Sequence, residues 1–333
     1  MNYATIGTGW IVDRFLSALQ QVEGNKCIAM YTREEGRARA LAKKYNVDNI
    51  YTNLEAMLSN SQIDVIYIAS PNNLHYEQAY QALQFEKHVI CEKPFTSTLR
   101  EAESLINYAI DKGLMLFEAI TTIHLPNFKL VKKNLDRIGR IKLVQCNYSQ
   151  YSSRYELLLN GETPNVFNPE FSGGALADIN VYNLHFVTRL FGRPKAVNYI
   201  ANKHANGIDT SGVVVMEYPE MIAECTGSKD THGLSFILIQ GEKGYIHVEN
   251  GPNGCSKVYM HTREGEVRLD AQDNENILVY EVVEFNKILQ TKNINRCYEL
   301  LNHSRSVMRI LEEARKDADI TFKADKIPIG KRD

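Results

Sequence analysis

Asn2-Tyr3-Ala4-Thr5-Ile6-Gly7-Thr8-Gly9-Trp10-Ile11-Val12 is the stretch on which the fold turns. Tyr3–Ile6 reads as a short strand, and the residues from Val12 to about Val22 read as a helix. Between them two glycines stand one residue apart. In a strand–turn–helix setting the first permits the tight turn, and the second lets backbone approach a pyrophosphate. The helix that follows would aim its first amides at that anion. Gly7 and Gly9 are therefore candidate cofactor residues. Val12 fills the third position of G-x-G-x-x-G, where a small residue is usual, so the motif is incomplete.

Outward from this turn, β-branched runs alternate with amphipathic stretches. Strands are expected at Lys26–Tyr31, Asp64–Ala69, His88–Cys91 and Leu114–Ala119, with helices at Arg33–Tyr45, Leu74–Gln84 and Leu99–Lys112. That alternation implies a doubly wound parallel sheet, an α/β domain of Rossmann type over residues 1–121. Past Thr121 the pattern changes. A helix at Pro126–Asp136 precedes the long segment Ile141–Tyr151, and a second helix spans about Ala175–Phe191. Strand-like runs follow near Lys195–Asn202, Gly212–Tyr218, Met221–Gly227, Leu234–Gln240 and Tyr245–Glu249, punctuated by Gly and Asn as in hairpins. Two helices, Asn276–Leu289 and Tyr298–Lys316, close a second α/β domain over 122–333 with a largely antiparallel sheet.

The bulk properties exclude several classes. Over 333 residues, 44% hydrophobic and 23% charged content is that of a globular chain, long enough for two cores. A formal net charge of −2 gives no global attraction for nucleic acid. There is no signal-peptide pattern and no apolar run of membrane-spanning length, so no membrane partner is expected. Cys27, Cys91, Cys146, Cys225, Cys255 and Cys297 are scattered without a C-x-x-C pair, which suits reduced thiols in the cytoplasm. No His, Asp or Glu grouping has metal-site spacing.

The end of the second strand bears on the cofactor. Dinucleotide domains that prefer NAD carry a carboxylate there for the ribose hydroxyls. Here the run is Met30-Tyr31-Thr32-Arg33, and no acid appears before Glu34. Thr32 and Arg33 can accept a 2′-phosphate, since guanidinium meets phosphate in a fork. NADP is the expected cofactor, with NAD possible.

The run Cys91-Glu92-Lys93-Pro94 at a strand end closely resembles the glucose–fructose oxidoreductase/inositol dehydrogenase (Gfo/Idh/MocA) family. Gly7-Thr8-Gly9-Trp10-Ile11, Ala69-Ser70-Pro71-Asn72-Asn73-Leu74-His75 and Gly173-Gly174-Ala175-Leu176-Ala177-Asp178-Ile179-Asn180-Val181-Tyr182 extend the resemblance in the same order. Phe167-Asn168-Pro169-Glu170 is similar to the dihydrodiol/D-xylose dehydrogenase branch. The resemblance implies a nicotinamide-dependent dehydrogenase acting on a sugar, polyol or diol. Its second domain would bind substrate, and its open sheet would form a homodimer. It also implies that Thr8, Trp10, Ile11, Ser70 and Glu92 adjoin the cofactor, that Lys93 lies beside the nicotinamide, and that Asp178 and Tyr182 complete the site. Asn180 departs from the pattern, which has glycine there.

The residue chemistry agrees. An ammonium at the carboxyl end of a parallel strand sits where open α/β sheets bind ligands. Lys93 could hydrogen-bond a substrate oxygen or, as the free amine, take a hydroxyl proton. On an ideal helix Asp178, Tyr182, His185 and Arg189 share one face. This makes Asp178 and Tyr182 candidates for catalysis and His185 one for substrate binding. Tyr182 and Lys93 compete for the acid/base role. Pro71, Asn72 and His75 follow a strand end and could border the nicotinamide ribose; His124, near the domain boundary, could line a cleft or pack structurally. The reading from a different class is a non-catalytic dinucleotide sensor acting through a protein partner, which would have no use for a proton-transfer set.

Overall fold

Val65-Ile66-Tyr67-Ile68 is buried along its whole length, as a strand covered on both faces must be. The computed structural model of the chain describes residues 1–328. These form two compact units, Met1–Ala119 with Asn274–Asn302, and Ile120–Asp273 with the residues from His303 on. In chain order the first unit holds β1 (Asn2–Ile6), α1 (Trp10–Leu19), β2 (Lys26–Tyr31), α2 (Gly36–Tyr45), β3 (Asn49–Tyr51) and α3 (Leu54–Leu58). It continues with β4 (Val65–Ile68), α4 (His75–Gln84), β5 (His88–Glu92), α5 (Leu99–Lys112) and β6 (Leu116–Ala119). The six strands are all parallel, in the order β3-β2-β1-β4-β5-β6. The order reverses between β1 and β4. At that switch point the loops after both strands open a crevice where ligands bind in such sheets.

One cap secures the loop that follows β5. The Thr98 hydroxyl accepts the Glu101 amide at 3.3 Å, while the Glu101 carboxylate accepts the amides of Ser97 and Thr98 at 3.0 and 3.1 Å. This capping box, worth about 1 kcal/mol, ties the segment after Lys93-Pro94 to the start of α5.

The second unit holds α6 (Pro126–Asn134), β7 (Ile141–Ser149), α7 (Tyr155–Leu159), α8 (Val181–Phe191), β8 (Ala196–Lys203), β9 (Asp209–Glu217) and β10 (Ile222–Ser228). After these come β11 (Phe236–Gly241), β12 (Gly244–Glu249), the short α9 (Gly251–Gly254), β13 (Lys257–Thr262) and β14 (Gly265–Arg268). Their eight-stranded sheet runs β14-β13-β12-β11-β7-β10-β9-β8, antiparallel except for the parallel pair β7 and β10. Alternation divides its faces. Val144, Cys146, Val214, Cys225, Ile237 and Ile246 are buried on one, whereas Ile200, Ile222 and Tyr245 are exposed on the other. The two strands past Glu249 lie beyond the expected set.

α10 (Leu278–Gln290) and α11 (Ile294–Asp317) follow. α10 packs on α1, where Asn276, just before it, donates to the Arg14 carbonyl at 2.8 Å, and Phe285 meets Phe117 at 4.7 Å.

Candidate active site

The glycine turn is built as its sequence requires. Gly7 has φ +110°, and a Cβ there would stand 2.6 Å from the Ala69 carbonyl oxygen, so β1 and β4 approach too closely for any side chain. Gly9 caps α1 with an extended backbone and no side-chain cap bond. A Cβ at Gly9 would meet no atom within 4 Å. The first turn of α1 thus keeps amides for an anion, with open space where a phosphate would come. Thr8 stands between the two glycines, and Ile11 is half-buried on the first turn of α1. Trp10 is 69% exposed with the Arg14 guanidinium over its ring. Val12 is fully buried, so the helix accommodates it in the core.

Thr32 is buried at the end of β2, and its hydroxyl donates to the Glu34 carbonyl at 3.2 Å. Arg33 is exposed and forms no ion pair among the described residues. Arg37, by contrast, is held by Glu34 at 3.0 Å.

The ends of β4 and β5 are stitched together by His75. Its ring is buried, with Nδ1 3.0 Å from the Pro94 carbonyl and Nε2 3.0 Å from that of Ser70. Burial is the largest influence on this imidazole and lowers its pKa. Its ring is occupied by the chain's own carbonyls, so it braces the turn. Ser70 Oγ is buried and has no hydrogen-bond partner among the described residues. Pro71 and Asn72 follow on the turn into α4, half-buried.

Glu92 lies inside the sheet end. Tyr67 Oη donates to its Oε1 at 2.6 Å and the Lys93 amide to its Oε2 at 3.2 Å. Burial pushes the Glu92 carboxyl up to about 6, against the pull of the Tyr67 hydrogen bond and the Lys93 charge. Lys93 is half-buried, and its bond to Pro94 is cis. An open-space glycine, an orphaned serine hydroxyl and a lysine at one sheet end fit a nicotinamide dinucleotide.

The second unit departs from the regular helix expected over 175–191. Leu176–Asn180 is a π-helical turn, and only from Val181 does α8 run as an α-helix. The wider turn slips the phase of Asp178 against α8, whereas Tyr182, His185 and Arg189 keep α-helical spacing. Asp178 and Tyr182 remain partly exposed, but His185 is wholly buried. Its Nδ1 pairs with His303 Nε2 at 3.0 Å. Burial first, then the charges of His185, Arg189 and His124, hold His303 well below the usual imidazole range. His185 is thus turned into the core, where the expected substrate contact finds no exposed surface. His124 is buried near it.

Two residues without a sequence signal support the π-helical turn. Asp209 Oδ2 accepts the Leu176 amide at 2.6 Å and the Tyr199 hydroxyl at 2.8 Å, anchoring the turn's start. Lys229 forms a close hydrogen-bonded ion pair with Asp178 Oδ2. Asn180 packs where Gly227 leaves room, a Cβ on Gly227 lying 2.6 Å from its own. Its amide donates to the Cys225 carbonyl at 2.9 Å and its oxygen accepts from Asn183 at 2.8 Å. Tyr182 meets Tyr148 edge-on at 5.7 Å, and Tyr148 lines an 820 Å³ cleft rich in amide and hydroxyl groups.

The first unit is by its fold and turn a dinucleotide-binding domain, and comparison with known proteins places the whole chain. Residues 1–120 match the Gfo/Idh/MocA oxidoreductase family's NAD-binding Rossmann fold, and residues 129–247 match a C-terminal domain of the same family. The chain is 37% identical over 330 residues to the uncharacterized oxidoreductase YgjR of Escherichia coli, covering 99% of this chain and 100% of that one. It is 36% identical over 326 residues to the scyllo-inositol 2-dehydrogenase (NADP(+)) IolU of Bacillus subtilis, covering 98% and 99%. Among solved structures, the 3-ketoreductase KijD10 of Actinomadura kijaniata in complex with NADP and TDP-benzene superposes with a TM-score of 0.84 at 20% identity, over 95% of this chain and 97% of that one. The chain belongs to the Gfo/Idh/MocA family and is an oxidoreductase.

Proposed function

We propose that the chain reversibly oxidises a secondary hydroxyl of a polyol or sugar with NADP⁺. The observation that carries this reading is Lys93, half-buried at the carboxyl end of β5 beside the buried Glu92. The amides of the first turn of α1, with Gly7, Thr8 and Gly9, would hold the pyrophosphate. Ser70, Pro71 and Asn72 would border the nicotinamide ribose, with Trp10 and Ile11 flanking the dinucleotide and Glu92 beside it. His75 is given a bracing role, and His185 is left out because it is buried against His303. Bound there, the nicotinamide would supply the hydride-accepting carbon. Lys93 would take the hydroxyl proton, with Tyr182 as the competing acid/base, and Asp178 would orient the substrate.

Several observations favour NADP. Arg33 is exposed and without an ion pair among the described residues, Glu34 is engaged by Arg37, IolU is named for NADP(+), and KijD10 was solved with NADP. The open face of the eight-stranded sheet, with Ile200 and Ile222 exposed, supports a homodimer through that face. Six buried free thiols suit a reducing cytoplasm.

The test is a nicotinamide-absorbance screen over inositols, sugars and diols with both cofactors. Turnover of a polyol with preference for NADP⁺ is expected. Lys93→Ala should abolish it while NADP⁺ still binds; near-normal turnover in that variant would refute the assignment.

A further inference from the structure

We propose that Lys229 is a positioning residue for the Asp178 carboxylate, clamping it in one orientation. This rests on the reading that Asp178 acts on substrate.

Among the described residues the Lys229 ammonium meets one carboxylate. The side chain is only 7% exposed, and its Nζ meets Asp178 Oδ2 while lying 6.0 Å from the centre of the Phe167 ring. Its backbone is fixed on both sides, since its amide donates to the Thr210 carbonyl at 2.9 Å and its carbonyl accepts the Ser152 amide at 2.9 Å. The adjacent Asp230 is not a rival, because its oxygens accept the hydroxyls of Ser228 and Ser211 at 2.8 and 3.0 Å. Asp209, the other acid packed against this turn, is held by Leu176 and Tyr199. An exposed ion pair contributes little to order, whereas here the ammonium is shut from water while the carboxylate is 28% exposed, so the pair is held to its geometry because the buried cation alone is costly.

The consequence is control of Asp178 from two directions. Asp209 fixes the start of the π-helical turn that carries the residue, and Lys229 fixes the carboxylate head. Toward that ammonium the carboxylate serves as a hydrogen-bond acceptor. With its charge balanced, the pair presents an acceptor without net charge, which suits the hydroxyls of a neutral polyol better than an acidic substrate.

The experiment compares Lys229→Met, Lys229→Arg, Asp178→Asn and the double variant in the full-length enzyme. Each is assayed with the best-turned-over polyol of the screen and NADP⁺, across pH. Lys229→Met should lower kcat on the order of a hundredfold with little change in the NADP⁺ dissociation constant. At the acid end of its kcat/KM profile, below the limb set by the proton-accepting base, the further fall that belongs to the Asp178 carboxyl should begin about one pH unit or more higher than in the wild type. Lys229→Arg should restore much of the rate, and the double variant should be no slower than Asp178→Asn. A normal kcat and no such shift at the acid end in Lys229→Met, beside an inactive Asp178→Asn, would overturn the proposal and leave the function intact. A fully active Asp178→Asn would instead overturn the role of Asp178, and the positioning role with it. As a substrate-free check, the pH dependence of the stability difference between wild type and Asp178→Asn should move upward in a Lys229→Met background; no movement also refutes the clamp.

Discussion

Adding one methyl group at Gly7 or at Gly9 should separate folding from binding at the same turn. At Gly7 the new Cβ would sit 2.6 Å from the Ala69 carbonyl oxygen and 3.1 Å from its carbon, at a φ of +110°. The obstacle is backbone of the neighbouring strand, so relief requires parting β1 from β4. A strained backbone and an overpacked contact together cost about 2–6 kcal/mol. That is a large share of the roughly 5–15 kcal/mol that holds a domain. Gly9→Ala meets nothing within 4 Å and keeps an ordinary extended backbone, so the fold should tolerate it. Its methyl instead enters the space through which a pyrophosphate would reach the helix amides. Trp10, the sole tryptophan and 69% exposed, stands next to Gly9 and offers an emission signal for ligand binding, while circular dichroism follows melting. Gly7→Ala should melt roughly 5 °C or more below the wild type. Gly9→Ala should melt near it yet bind NADP⁺ about tenfold to a hundredfold more weakly. An unchanged dissociation constant in Gly9→Ala, or unchanged melting in Gly7→Ala, would refute the reasoning.

Three further outcomes are expected. Glu92 titrates at about 6 in the fold against a usual 4.5, so the folded chain binds more protons between these values. Stability from this group is then full below about pH 4.5 and declines by about 2 kcal/mol as pH rises through 6; Glu92→Gln should flatten that part of a urea-denaturation pH series, and an unaltered slope would contradict it. Arg33→Ala should weaken NADP⁺ by about tenfold and NAD⁺ by less than about twofold, and equal losses in titrations of both would remove Arg33 from the 2′-phosphate. Asp209→Ala strands the Leu176 amide and the Tyr199 hydroxyl, both otherwise buried, and should cost about 2–5 kcal/mol in denaturant unfolding; a change below about 0.5 kcal/mol would show that the turn is anchored elsewhere.

Much of the first sheet was legible because each strand carries its signal locally. Lys26–Tyr31 and Leu99–Lys112 have the expected bounds, the helix because Thr98, Glu101 and Gly113 mark its ends chemically. Asn49–Tyr51 and Gly265–Arg268 are too short to show a period, and the latter is exposed throughout. The π-helical turn escaped because its residues are ordinary helix formers. The residue that anchors its start is Asp209, distant in sequence and beside it only when folded. Lys229 escaped for the same reason, since a lone lysine after a strand has no pattern until Asp178 is beside it. His185 misled because sharing a helical face with Tyr182 does not fix burial: both lie on the regular α8, and it is His303, distant in sequence, that covers His185.

The seating of Asn180 against Gly227 makes the two positions epistatic. Glycine at 180 alone would empty a packed site and remove one hydrogen-bond partner each from the Cys225 carbonyl and the Asn183 amide, the latter keeping the Thr226 carbonyl. Giving Gly227 a side chain first would collide with Asn180. An engineer wanting a side chain at 227 would therefore have to change 180 first, and an evolving lineage could leave the present pairing only in that order, through the glycine–glycine intermediate.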